Sequence, residues 1–211
     1  MRYLSGSKNS AHEHLYADGT IGLLKTPATG YSVANVKVWA LDNGAFTDQY
    51  PGHEAYLQLL DRLEPHKDRC LFVALPDVVG DARATLQRSH EIWHQVRVEK
   101  GWPVALVLQD GMQDHPVRSF IPWDALDWVF VGGSDEFKLG PGARSLCSEA
   151  HARGVKIHVG RVNSLKRFAY ARDALHADTA DGTALAFNPS ARLPEVLSWL
   201  RSNDQGRLEL A

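Results

Sequence analysis

Short apolar runs recur along the chain, spaced so that a helix fits between most of them. They are Arg2–Ser5, Val36–Leu41, Cys70–Leu75, Val104–Leu108, Trp128–Val131, Lys156–Val159, His176–Thr179 and Ala184–Phe187. Gly, Pro, Asp and Asn bound most of these runs, and such residues punctuate strands. Apolar positions at helical spacing fill His53–Leu63, Ala82–Glu99, Gly142–Arg153 and Ser164–Leu175, with a closing helix over Leu193–Ser202. Asp81 stands where the second of these helices needs an N-cap, and Gly101-Trp102-Pro103 stops it. Leu71–Leu75 and Val104–Leu108 are apolar at every position, so both faces of those strands must be buried, by helices on one side and a packed interior on the other. Eight strands with intervening helices predict an α/β fold, a compact (β/α)8 TIM-like barrel occupying residues 1–211 as one domain. The tail after Ser202, rich in polar residues, reads as loose.

Composition narrows the choice of class. Hydrophobic residues at 44% and charged residues at 23% exclude disordered, collagenous and coiled-coil chains. A formal net charge of -2 excludes a protein that grips nucleic acid by broad phosphate neutralisation, so any such binding needs a local basic patch. Arg161, Lys166 and Arg167 are the candidates for that patch, and Ser5-Gly6-Ser7-Lys8-Asn9 is a second loop whose amides suit a phosphate or sugar. Cys70 and Cys147 provide neither a disulfide framework nor a metal cluster and read as buried thiols. His90 and His94 have zinc-binding spacing on a helix but no third ligand, so neither a metal nor a cofactor is expected. The start of the chain lacks an apolar leader, and no stretch approaches the roughly 18 apolar residues of a membrane span. A cytoplasmic protein that does not touch the membrane is the expectation.

The chemical signal lies where the strands end. Asp42-Asn43-Gly44-Ala45-Phe46, Pro76-Asp77, Gln109-Asp110-Gly111, Gly132-Gly133-Ser134, Gly160-Arg161 and Asp178-Thr179-Ala180-Asp181 each follow or close an apolar run. Any one aspartate there has an ordinary role as a turn or cap residue. Six such ends in a barrel form a single face, where several carboxylates converge on one cleft. A cleft of that kind suits a glycosidase, an aldolase or a metal-dependent hydrolase, and fold alone does not choose among them.

The order of these motifs resembles that of the tRNA-guanine (queuine and archaeosine) transglycosylases, and most of all the small DNA-guanine transglycosylases (DpdA-like) of phages and bacteria. Asp42-Asn43-Gly44-Ala45-Phe46 is similar to that family's Asp-Ser-Gly-Gly-Phe, Gln109-Asp110-Gly111 to its Gln-Gly-Gly, and Asp178–Asp181 to its Asp-x-x-Asp. The resemblance spans about residues 40 to 183. It implies a glycosyltransferase that replaces guanine in a nucleic acid with a free 7-deazaguanine through a covalent aspartyl-glycosyl intermediate. Asp181 would be the nucleophile and Asp42 the acid and base. Asp77, Gln109, Gly132 and Gly133 would bind the guanine, with Phe46, Asp178 and Arg161 as further substrate contacts. Two departures stand out: the family's Cys-x-Cys-x-x-Cys and histidine zinc subdomain is missing, and Gly182-Thr183-Ala184 replaces the Pro-Thr-Arg after the nucleophile. Loss of the zinc subdomain favours DNA over tRNA as the partner, and a homodimer stays open. The alternatives are a barrel glycoside hydrolase or nucleosidase using the same carboxylates with water, and a non-catalytic barrel that binds nucleic acid.

Overall fold

Alternation along each strand decides which side chains enter the barrel and which meet the helices. The computed structural model describes residues 1–186 and 189–208, with side chains through Ser202. Eight parallel strands close on themselves in chain order: β1 Arg2–Ser5, β2 Gly22–Lys25, β3 Trp39–Leu41, β4 Cys70–Ala74, β5 Val104–Leu108, β6 Trp128–Val131, β7 Lys156–Val159 and β8 Thr179–Gly182. The helices are α1 Glu13–Asp18, α2 His53–Leu63, α3 Ala82–His94, α4 Asp135–Leu139, α5 Pro141–Ala152, α6 Leu165–Ala174 and α7 Pro189–Leu208. The chain is thus a compact α/β barrel of TIM-like topology.

Two apolar sets follow from the alternation. Leu4, Leu24, Ala40, Phe72, Ala74, Ala105, Val107, Trp128 and Phe130 fill the interior. Their strand neighbours, among them Tyr3, Leu23, Trp39, Val73, Leu106, Val129 and Ile157, face the helices in a larger outer core. Large and small residues alternate around the ring, so Phe72 can lean against Trp128 and Phe130 with centroids 5.1 and 6.1 Å away. Gly22 opens β2 because a Cβ there would stand 2.3 Å from Leu4 Cδ2. Each fully buried side chain of Leu or Phe size contributes about 1.5–3 kcal/mol, so the two layers dominate stability.

Several boundaries differ from the sequence reading. Gly22–Lys25 is a strand that the apolar-run criterion passes over, being four residues long with Gly and Lys at its ends. The eighth strand is neither His176–Thr179 nor Ala184–Phe187 but Thr179–Gly182, between them. Ala184–Ala186 form a turn, and Phe187 lies outside the described residues. The expected Val36–Leu41 strand shortens to Trp39–Leu41, and the Ala82–Glu99 helix changes at Gln95 into a single π-helical turn. The closing helix begins at Pro189 and runs to Leu208, through the segment expected to be loose. Among the described residues no α-helix joins β2 to β3 or β5 to β6; the latter connection carries only the 3-10 turns Val117–Phe120 and Trp123–Ala125. No described helix is long and apolar enough to cross a membrane. Cys147 is buried, whereas Cys70 at the start of β4 is only half-buried.

Candidate active site

The interior alternation continues one step past the apolar layer at the carboxyl ends of the strands. Asp42 lies two residues beyond Ala40, Gln109 beyond Val107, Gly132 beyond Phe130, Gly160 beyond His158, and Asp181 beyond Thr179. The same inward-pointing positions that build the core therefore line the mouth, as barrel active sites do. Asp77 joins them from the segment after β4.

Asp181 is held from below by a histidine that the sequence reading left without a partner. His158 Nε2 lies 3.0 Å from Asp181 Oδ1, and Nδ1 lies 2.8 Å from Thr179 Oγ1. A carboxylate only accepts, so Nε2 donates to Asp181, and in the neutral ring Nδ1 accepts from the Thr179 hydroxyl. His158 is fully buried between Phe72 and Phe130, with ring centroids 5.0 and 4.4 Å away, and cannot swing. Among the described residues Oδ2 of Asp181 has no hydrogen-bond partner. The strand end is pinned as well: Val162 N donates to the Asp181 carbonyl over 2.6 Å, and Thr183 N to Asn163 Oδ1 over 2.7 Å. Gly182 is obligatory in this arrangement, since a Cβ there would come within 2.4 Å of the Val162 carbonyl oxygen. That packing gives the Gly182-Thr183 departure a physical reason.

Asp42 and Asp77 differ in their surroundings. Burial pushes the Asp42 carboxyl up to about 7, and the charges of Asp181 and Asp77 add to the effect. Backbone donors at Gly44 and Asn43 oppose the rise, and the Gly44 N contact is long at 3.4 Å. Like charge nearby thus adds to burial in favouring the protonated form of Asp42. Asp77 is buried, which also raises its carboxyl, but two side-chain donors oppose that rise. Asn43 Nδ2 donates to its Oδ1 over 2.8 Å, and Gln109 Nε2 to its Oδ2 over 2.6 Å. Asn43 also binds the Leu75 carbonyl, and Gln109 Oε1 accepts from Gly80 N at 2.9 Å. Gln109 is therefore committed to orienting Asp77 and keeps one N–H for a ligand.

The two glycines after β6 have packing reasons of their own. A Cβ on Gly132 would meet Val107 Cγ1 at 2.8 Å, and one on Gly133 would meet Asp110 Oδ2 at 2.6 Å. Gly133 also has a φ of +69°, which favours glycine. The Gly133 carbonyl accepts from Arg161 NH2, so it is occupied. Arg161 itself sits at a φ of 62° and lays its guanidinium 4.4 Å from the centroid of the exposed Phe46 ring. Phe46 follows β3 and Arg161 follows β7, four strands apart in the closed ring, so this cation–π contact crosses the mouth.

One predicted site residue is not there. Asp178 precedes β8 and stands at the amino end of the barrel, exposed, with Oδ2 accepting from Ile157 N at 2.9 Å. Three residues of strand separate it from Asp181 by about 10 Å and turn it to the opposite face. The Ser5–Asn9 loop is also spoken for: Ser5 Oγ and Tyr16 OH both donate to the Ser7 carbonyl, at 2.7 and 2.8 Å, and Lys8 pairs with Glu13 at 3.1 Å. A residue missed by the sequence reading is Lys138 on α4. Burial brings its ammonium down to about 8, with Arg161 adding to the effect and Asp135 and Asp181 opposing it. A cavity of about 700 Å³ lies elsewhere, outside the barrel between α3 and residues 116–126. It is lined mainly by apolar side chains such as Leu86, Trp93 and Phe120, and occupies the place left by the missing β5–β6 helix. Size alone therefore does not locate the chemistry.

No family model matches this chain, and no curated protein matches it. Among solved structures it is similar to the BexX/CysO complex of Amycolatopsis orientalis, at 17% identity and a TM-score of 0.57, covering 97% of this chain and 91% of that one. It also matches the Bacillus subtilis YkuI protein, which has an EAL domain and was solved with its substrate c-di-GMP and calcium, at 14% identity and a TM-score of 0.42, over 82% of this chain and 46% of that one. The first likeness establishes shared barrel architecture at a sequence distance where chemistry does not carry over.

Proposed function

We propose that the chain is a base-exchanging glycosyltransferase that replaces guanine in a nucleic acid, DNA in preference to tRNA, with a free 7-deazaguanine. The observation that carries the reading is the division of labour among three acids at one mouth. Asp181 is fixed by His158 with one oxygen left over, Asp42 holds a proton near neutral pH, and Asp77 is oriented by Asn43 and Gln109.

Base exchange needs those three roles. Asp181 Oδ2 attacks C1′ from the face opposite the base, the C1′–N9 bond breaks through an oxocarbenium-like transition state, and Asp42 gives its proton to the departing guanine. The incoming 7-deazaguanine then surrenders its N9 proton to Asp42 and attacks C1′, displacing Asp181, so two inversions retain the configuration. Asp77 has lone pairs left to accept from the N1–H and amino group of a guanine-type base. The target nucleotide must leave its stack to reach the mouth, which requires the Phe46–Arg161 contact to part. Incubation with a single-stranded oligonucleotide and a labelled 7-deazaguanine tests the proposal: label should enter the polymer as guanine leaves in equal amount. Guanine released without incorporation would indicate hydrolysis, and no release at all would refute chemistry on a glycosidic bond.

A further inference from the structure

The β6–β7 side of the mouth gathers charges that the exchange chemistry does not use. Lys138 is the unusual member. Its side chain is 5% exposed, and Nζ is buried with no hydrogen-bond partner; the nearest carboxylate oxygen, Asp135 Oδ1, is a charge contact at 3.5 Å. A buried ammonium without hydrogen bonds costs free energy that a methionine, unbranched and one atom shorter, would not. Lys138 lines a cavity of about 20 Å³ together with Asp135, Gly160, Arg161 and Arg167. That space admits one water-sized atom.

Charge around the cavity is unbalanced. Asp135 is the one carboxylate in contact, and three cations surround it: Arg167 NH2 at 2.6 Å, Lys138 Nζ at 3.5 Å and Arg161 NH2 at 3.8 Å. Asp110 and Asp181 act on Lys138 from farther away, and neither forms an ion pair with the cluster among the described residues. Asp110 is instead engaged by the amide and hydroxyl of Ser134. At contact range two positive charges exceed what Asp135 neutralises. The arginines supply planar forks and the lysine a point charge, the combination that suits a tetrahedral oxyanion.

We propose that Lys138, Arg161 and Arg167 form a binding site for one phosphate group, a single phosphate oxygen entering the small cavity to meet the Lys138 ammonium. The site deepens the base-exchange reading and rests on it for its source, the phosphodiester next to the nucleotide in the mouth. A free nucleotide would offer the same chemistry, so both are tested. Wild type, Lys138→Met and Arg167→Met are titrated with a labelled single-stranded DNA oligonucleotide at several salt concentrations. Calorimetric titrations with 5′-GMP and with guanosine, and a melting temperature for each protein, complete the set.

For Lys138→Met we expect oligonucleotide affinity to fall about tenfold and the slope of log K against log salt to become shallower by about 0.7. The 5′-GMP affinity should fall in step, while guanosine, lacking the phosphate, binds as to wild type. The melting temperature should hold or rise, because a buried ammonium without a hydrogen bond has been removed. Wild-type affinity for both phosphate probes and a wild-type salt slope for the oligonucleotide in Lys138→Met would overturn the site, and with base exchange intact would leave the enzymatic reading standing. A lowered melting temperature with unchanged affinities would overturn it too, by making Lys138 a structural residue. Lys138-dependent binding of 5′-GMP without any oligonucleotide binding would support the phosphate site and sink the nucleic-acid reading.

Discussion

The two ends of the barrel carry aspartates put to opposite uses. At the amino ends, Asp127 before β6 and Asp178 before β8 each accept a backbone N–H from the strand alongside, Val104 N and Ile157 N, both at 2.9 Å. At the carboxyl ends, Asp42, Asp77 and Asp181 turn inward, and burial raises the carboxyls of Asp42 and Asp77. The first pair closes strand edges that water would otherwise solvate. The second group keeps like charges together at a cost that folding does not require, and residues held that way mark functional sites. The difference arises from position relative to the strand, since side-chain type is the same.

The largest effect that separates the two ends comes from paired substitutions. Asp181→Asn should abolish base exchange, by at least about 10⁴-fold, with the melting curve preserved. Asp178→Asn should leave the rate within about twofold, because the strand-edge hydrogen bond acts on the fold and not on the mouth. Single-turnover incorporation of labelled base measures both.

Next comes Asp42→Asn, which should cost roughly 10²–10⁴-fold by removing the acid. It also has a pH signature. The folded carboxyl takes up its proton at about 7, against 3.8 for the ordinary group. Between those values the folded chain holds a proton that the unfolded chain has released, so Asp42 makes stability fall as pH rises through that window. Below it the penalty vanishes, and above it the full penalty persists. Chemical denaturation from pH 4 to 8 should thus show Asp42→Asn more stable than wild type at pH 8 and level with it at pH 4. Exchange by wild type should decline above about pH 7 as the acid loses its proton.

A smaller effect is expected from His158→Leu, about 10²-fold on the rate, because Asp181 loses its alignment while remaining ionisable. Smallest of all, Asp178→Ala should lower stability by about 1 kcal/mol, as one backbone donor loses its partner. Equilibrium unfolding in urea measures the second, and a rate loss of several decades there would collapse the distinction between the ends.

Much of this layout is legible in the amino-acid order. Short, fully apolar runs such as Val104–Leu108, with Pro103 before it, read as strands with two buried faces, and the polar residues immediately after them fall at one mouth. The strand that carries Asp181 is obscured because Thr179-Ala180-Asp181-Gly182 is not an apolar run; its inward positions serve His158 and the mouth instead of the core. His158 was readable in principle, since Ile157 and Val159 claim the helix-facing side and leave it inward. Lys138 was not, because Asp135-Glu136-Phe137-Lys138-Leu139 has the charge pattern of a solvated helix face, and only tertiary packing buries the lysine. Asp178 misleads for a related reason: spacing within a motif says nothing about which end of a strand each residue occupies.

The central claim, that Asp181 is the carboxylate that bonds to the sugar, is open to direct measurement. Incubation with a guanine-containing oligonucleotide, rapid acid quenching and peptide mapping by mass spectrometry should find the strand less its guanine, bonded through C1′, on the peptide holding Asp181, absent in Asp181→Asn and discharged when 7-deazaguanine is added before the quench. An unmodified Asp181 during demonstrable turnover, or an adduct on another side chain, would contradict the account.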